Sequence, residues 1–269
     1  MKGLGLRGYA LIYLVFLYAP IVLLPIFAFN DSTIIAFPLQ GFTTNWFTEL
    51  TTVTALHDAA LNSIYIATLT AIFATLLGLC AARAQAKYRF PGKGPIMGLI
   101  MLPLVLPEII VGVSLLVVVV QVMNWPLSTW TVIAAHTLIC MPFSIAILNS
   151  AFQNLDPSLE EAAQDLGETP FSTFRLVTLP LVMPGIISSL LISFTISLDE
   201  FIIAFFLSGT DPTLPVYIWG LLRFPQRLPV VMALGTILVA LSILLLILAE
   251  VMRRRGLKRA GITDKGGFL

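Results

Sequence analysis

The chain has 269 residues, of which 58% are hydrophobic and only 11% charged, and its formal net charge is +1. Water-soluble domains run nearer half apolar and a quarter charged, and they cannot hide such a surplus of apolar surface. The composition excludes an ordinary soluble domain and points to the lipid bilayer.

A helix needs roughly 20 mostly apolar residues to cross the hydrocarbon core. Six stretches qualify in chain order: about 9–29, 61–82, 97–123, 129–151, 185–208 and 230–252. None alternates like a membrane-barrel strand, and backbone groups in lipid must be satisfied within their own segment. The expectation is an all-α integral membrane protein of about six transmembrane helices, forming one transmembrane domain over residues 1–269. The first run follows Lys2 and Arg7 as a signal peptide would. At about 20 residues it is too long for a typical signal core, and Ala28-Phe29-Asn30 is a poor cleavage site, so an uncleaved helix is expected.

The connections differ in charge. The loop at about 30–60 carries Asp31, Glu49 and Asp58 but no Lys or Arg. The loop at 124–128 is short and predicts a tight hairpin, 152–184 is long and polar, and 209–229 is rich in prolines and aromatics. With the N-terminus inside, the inner segments hold Lys2, Arg7, Arg83, Lys87, Arg89, Lys93, Arg175, Arg253, Arg254, Arg255, Lys258, Arg259 and Lys265. The outer loops hold only Arg223 and Arg227 of the 15 cations. That asymmetry predicts both termini in the cytoplasm, with Arg253-Arg254-Arg255 as a basic stop at the membrane surface, able also to meet anionic lipid.

No phosphate-binding loop is present: Pro91-Gly92-Lys93-Gly94 lacks the spacing and the hydroxyl. There is no His-Glu-x-x-His pair, no nucleophile elbow and no cysteine cluster. His57 and His136 are the only histidines, one in an outer loop and one mid-span. A metal or triad site is not expected, and catalytic residues are expected to be absent. Cys80 and Cys140 fall inside spans and read as buried structural thiols.

The inner loop contains Asp156-Pro157-Ser158-Leu159-Glu160-Glu161-Ala162-Ala163-Gln164-Asp165-Leu166-Gly167. Asp156 can cap the helix start, Pro157 suits its first position and Gly167 its left-handed stop. Leu159, Ala162, Ala163 and Leu166 share one face, with Glu160, Glu161 and Asp165 as polar positions. A second short helix is expected from Thr169-Pro170 to about Leu176, ahead of Leu179-Pro180. The pair then lies as a helix-turn-helix across the inner membrane surface, its small-residue face open to close approach.

Glu161-Ala162-Ala163, three residues, Gly167, nine residues, and Val177-Thr178-Leu179-Pro180 resembles the EAA loop of ABC-importer permeases. Val177 in place of Ile is the one departure at those anchor positions. Ala28-Phe29-Asn30-Asp31, Gln40-Gly41-Phe42-Thr43 with Trp46, the run from Leu102 to Glu108, and Ser197-Leu198-Asp199-Glu200-Phe201 resemble the smaller permease of spermidine/putrescine importers. The resemblance implies the type I importer permease fold in a bacterial inner membrane. It implies a second, different permease, two ATPase subunits that bind ATP and Mg, and a periplasmic substrate-binding protein, with no cofactor in this chain and no nucleic acid. It further implies that Glu161, Ala162, Ala163, Gly167, Leu179 and Pro180 belong to the segment that couples to the ATPase.

Three carboxylates fall inside spans, at Glu108, Asp199 and Glu200. Each costs about 2.5–3.5 kcal/mol at a helix centre, so a transport path or a structural partner is expected. Ser189, Ser193, Ser197 and Glu200 form one helical stripe and Asp199 lies above Thr195; the sequence leaves open which stripe faces a cavity. Pro103 and Pro107 predict a kink beside Glu108. Ser197, and Trp46, Tyr217 and Trp219 as cation–π partners or interfacial aromatics, complete the candidate path. Carboxylates in such a path favour a cationic solute, and the resemblance implies that it is a polyamine, putrescine or spermidine. Another small cationic or zwitterionic solute, such as an amino acid derivative, betaine or aminophosphonate, is the alternative cargo. A secondary transporter or channel is the alternative machine.

Overall fold

The computed structural model describes residues 2–259, so the expected inner cation Lys265 lies outside the described residues. The helices run α1 (Lys2–Ala28), α2 (Asn45–Thr52), α3 (Thr54–Lys87), α4 (Lys93–Met101), α5 (Glu108–Val117), α6 (Thr129–Gln153), α7 (Pro157–Asp165), α8 (Pro170–Thr173), α9 (Leu179–Asp199), α10 (Ile202–Leu207), α11 (Leu214–Leu221) and α12 (Leu228–Arg259). Among the described residues the only extended pairing is an isolated bridge between Asn30 and Phe42. Five helical stretches are long and apolar enough to cross a membrane, and a bent pair makes a sixth.

Four boundaries differ from the sequence expectation. α3 starts at Thr54 and runs 34 residues, about 51 Å at 1.5 Å per residue, so it projects beyond the hydrocarbon layer and takes His57 and Asp58 out of the loop. The third span is not one helix: Lys93–Leu104 and Glu108–Val122 meet at 105°. Pro107 donates no amide hydrogen and holds ψ at 130°, which opens the backbone there. The fifth span does not run to 208: α9 ends at Asp199, Glu200 turns extended (ψ 117°), and α10 follows as a separate short helix. Finally, the chain does not stop at Leu179-Pro180. Residues Phe174–Thr178 take π-helical spacing and lead straight into α9, a widening that accommodates the missing Pro180 amide.

The chain packs as two units, residues 55–217 and the flanking segments up to Thr54 and from Ile218. In the flanking unit α1 and α2 pack on α12. Asn30 Oδ1 accepts from the Gln40 amide at 2.9 Å, and the Trp46 indole donates to the Asn30 carbonyl at 2.9 Å, which fixes the loop after α1.

In the central unit α3, α6 and α9 pack through small residues. A Cβ on Gly78 would lie 2.6 Å from the Ser144 Cβ, and one on Gly185 2.6 Å from the Ala151 Cβ. Beside these contacts runs a buried polar seam: Thr75 with Ser189 at 3.0 Å, Ser144 with Ser193 at 2.9 Å, and His136 Nδ1 with Ser197 at 2.8 Å. Cys140 sits in the seam, its thiol toward the Ser193 carbonyl at 3.6 Å. Cys80, expected to be buried, is exposed, because the buried stripe of α3 follows Ala71, Ala74, Gly78 and Ala82 and misses it. Gly78→Ala is expected to force α3 and α6 apart at a cost of about 1–3 kcal/mol, read as a lower melting temperature of the detergent-purified protein. An unchanged melting temperature would show that this approach does not limit packing.

Candidate functional site

The long inner loop folds as its residues dictate. Asp156 Oδ1 accepts from the Ser158 amide at 3.0 Å and starts α7; that hydrogen bond also holds its carboxyl below the usual value. Gly167 stops α7 at φ +92°. Its amide donates to the Gln164 carbonyl at 2.9 Å, and the Glu168 amide donates to that of Ala163 at 3.1 Å. Thr169 Oγ1 then accepts from the Ser172 amide at 3.2 Å to open α8.

No residue of α7 is buried. Glu161 and Ala162 are exposed and Ala163 is half-buried. Leu166 is 88% and Phe171 75% exposed. Among the described residues nothing covers these two side chains. Of the second pair of motif residues, Leu179 is half-buried and Pro180 exposed, on the first turn of α9.

One residue that sequence reasoning passed over is central. Glu160, treated as simply polar, accepts from Lys87 at the end of α3 and from Thr178 just before α9. Burial pushes its carboxyl up, but these donors and the charges of Lys87 and Arg83 outweigh that and hold it below the usual range, so it is ionised at neutral pH. Arg83 in turn lies 3.7 Å from the centre of the Phe174 ring. The partners sit 73 and 18 residues away in sequence, and no local signal marks them.

The intramembrane carboxylates gather at the two helix breaks. Glu108 opens α5, Asp199 closes α9, and Glu200 stands in the gap before α10. Their elements pack together: α5 lies against α10, with the Phe206 ring 2.8 Å from where a Cβ on Gly112 would be. Glu108 and Asp199 are exposed, whereas Glu200 is buried and caps α10 by accepting from the Ile203 amide at 3.0 Å.

The other candidates have surroundings of their own. Ser197 is buried against His136, so the serine stripe faces α3 and α6 rather than an open space. Tyr217 lines a cavity of about 460 Å³ with Asp58, Asn62 and Asp211. Trp46 is tethered to Asn30, and Trp219 lies half-exposed on α11; both belong to the flanking unit.

Apolar spans that break beside carboxylates, together with an open-faced loop helix, fit a membrane component of a solute transporter. A family model described as "Binding-protein-dependent transport system inner membrane component" matches residues 74–257. The chain belongs to that family, and it is a transport component of an inner membrane rather than an enzyme. It is 34% identical over 263 residues to the spermidine/putrescine transport system permease protein PotC of Shigella flexneri, covering 97% of this chain and 98% of that one. It is 37% identical over 259 residues to the putrescine transport system permease protein PotI of Escherichia coli (strain K12), covering 91% and 92%. The fold is similar to a chain of the bacterial alginate ABC transporter in complex with its pentasaccharide-bound periplasmic protein, with TM-score 0.73 at 20% identity over 94% of each. It is also similar to an amino acid ABC transporter with histidines, with TM-score 0.55 at 18% identity over 80% of this chain and 100% of that one.

Proposed function

We propose that this chain forms part of the transmembrane path for putrescine or spermidine in an ATP-driven importer. The observation that carries the reading is the grouping of Glu108, Asp199 and Glu200 at two packed helix breaks. Acidic groups in a low-dielectric setting favour a cationic solute and disfavour an anion. The transport systems named for its relatives PotC and PotI agree with a polyamine.

In this reading both termini and α7 face the cytoplasm, where thirteen of the 15 cations lie. Glu161, Ala162, Ala163 and Gly167 present α7 to one of two ATPase subunits, and Leu179 and Pro180 join it to α9. ATP and Mg stay on the ATPase. A second, different permease completes the path, and a periplasmic binding protein delivers the solute.

The test is uptake of radiolabelled spermidine into proteoliposomes. Vesicles holding the whole complex and binding protein are expected to accumulate it only with ATP, and vesicles holding this chain alone are expected to take up none. ATP-independent uptake by the lone chain would replace the reading with a secondary transporter or channel.

A further inference from the structure

Accepting the cytoplasmic loop as the ATPase contact, we propose that Glu160 is the positioning residue that passes movement of α7 directly to two membrane spans, α3 and α9.

α7 buries none of its residues fully, and it rests on the π segment Phe174–Thr178 and on α8. Behind it lies a cavity of about 370 Å³, lined by Arg83, Lys87, Phe152, Leu155, Glu160 and Gln164 among others. Across that cavity α7 is not packed against the ends of α3 and α6, so little is transmitted there by side-chain contact. The chain joints at 154–156 and 166–169 attach its ends, yet both are turns.

Glu160 bridges that space. Its carboxylate holds Lys87 on α3 and Thr178 at the head of α9, with the Glu160 side chain 16% exposed. The stacking of Arg83 on Phe174 ties α3 to the same π segment. A charged group at that burial is retained only with matching donors, and here one ammonium and one hydroxyl supply them. The motif's two halves, the helix of Glu161 to Gly167 and the Val177-to-Pro180 run, are thus joined through space as well as along the chain. The last turn of α3 is drawn into the same joint.

The test uses the complete transporter in proteoliposomes and reads solute moved per ATP hydrolysed. Glu160→Ala is expected to lower that ratio roughly tenfold, the scale of one charged hydrogen bond, while the ATPase still copurifies and still hydrolyses ATP. Glu160→Gln and Lys87→Met keep the fold more conservatively, and each is expected to lower the ratio several-fold. Combined, they should do no more than the stronger single change, because both break one connection. The exchanged pair Glu160→Lys with Lys87→Glu is expected to recover part of the loss. An unchanged ratio in Glu160→Ala, or single effects that multiply in the double variant, overturns the proposal. Crosslinking from a cysteine at Ala162 to the ATPase reads the underlying assumption separately. A crosslink with an unchanged ratio removes only the role of Glu160, whereas no crosslink removes the docking role of the loop and this proposal with it.

Discussion

Replacing Gly167 with valine is expected to lower solute uptake by roughly tenfold or more in the assembled transporter, with smaller loss of ATP hydrolysis. The residue sits at φ +92° with nothing within 4 Å of an added Cβ. The penalty is therefore one of backbone conformation and not of space. A left-handed conformation costs an ordinary L-residue about 1–2 kcal/mol, and a β-branched one more. Since about 1.4 kcal/mol is a tenfold shift in population, much of the loop would abandon its turn and α7 would lose its set position. Gly167→Asn, which tolerates the left-handed region, is expected to retain most uptake, and Gly167→Ala to fall between. Wild-type uptake in the valine variant, with its ATPase bound, would count against a docking role for α7.

Neutralising the carboxylates at the helix breaks is expected to be as severe for a polyamine. Two unit charges 4 Å apart attract by about 4 kcal/mol at an effective dielectric near 20. Glu108 and Asp199 are exposed, so solvent screening reduces this, and a loss of about 10- to 100-fold in uptake is expected for Asp199→Asn or Glu108→Gln. Glu200 separates into two functions. Glu200→Gln keeps an oxygen for the Ile203 amide and removes only charge, so assembly is expected to persist. Glu200→Ala also strips the cap of α10 and leaves a buried amide unpaired, costing about 1–3 kcal/mol, so folded protein should fall as well. The readout is uptake of spermidine alongside the amount of assembled complex. If the triple variant Glu108→Gln, Asp199→Asn, Glu200→Gln transports spermidine at the ordinary KM and rate, the cation path does not run past these residues.

What the sequence disclosed was what local chemistry decides. Asp156, Pro157 and Gly167 define α7 because caps and left-handed stops act within a few residues. Pro103 and Pro107 announced the break before α5 for the same reason. The break at Glu200 had no such marker: neither glycine nor proline stands anywhere from 186 to 208. It is held instead by the Glu200 side chain turning onto α10. The serine period on α9 was legible, but its meaning was not, since Thr75, His136 and Ser144 come from two other helices. Glu160 escaped notice for the same reason, being defined by Lys87 and Thr178 and not by its neighbours in α7.

The polar seam among α3, α6 and α9 also bears on which parts of the molecule can yield. Sliding α9 by one residue would part Thr75 from Ser189 and Ser144 from Ser193 in the interior, and the close approach of Gly185 to Ala151 leaves little slack to absorb the shift. These bonds and contacts tie the three helices to one another. A rearrangement within this unit would meet less resistance where helical hydrogen bonding is already interrupted, as at residues 105–107 and 200–201.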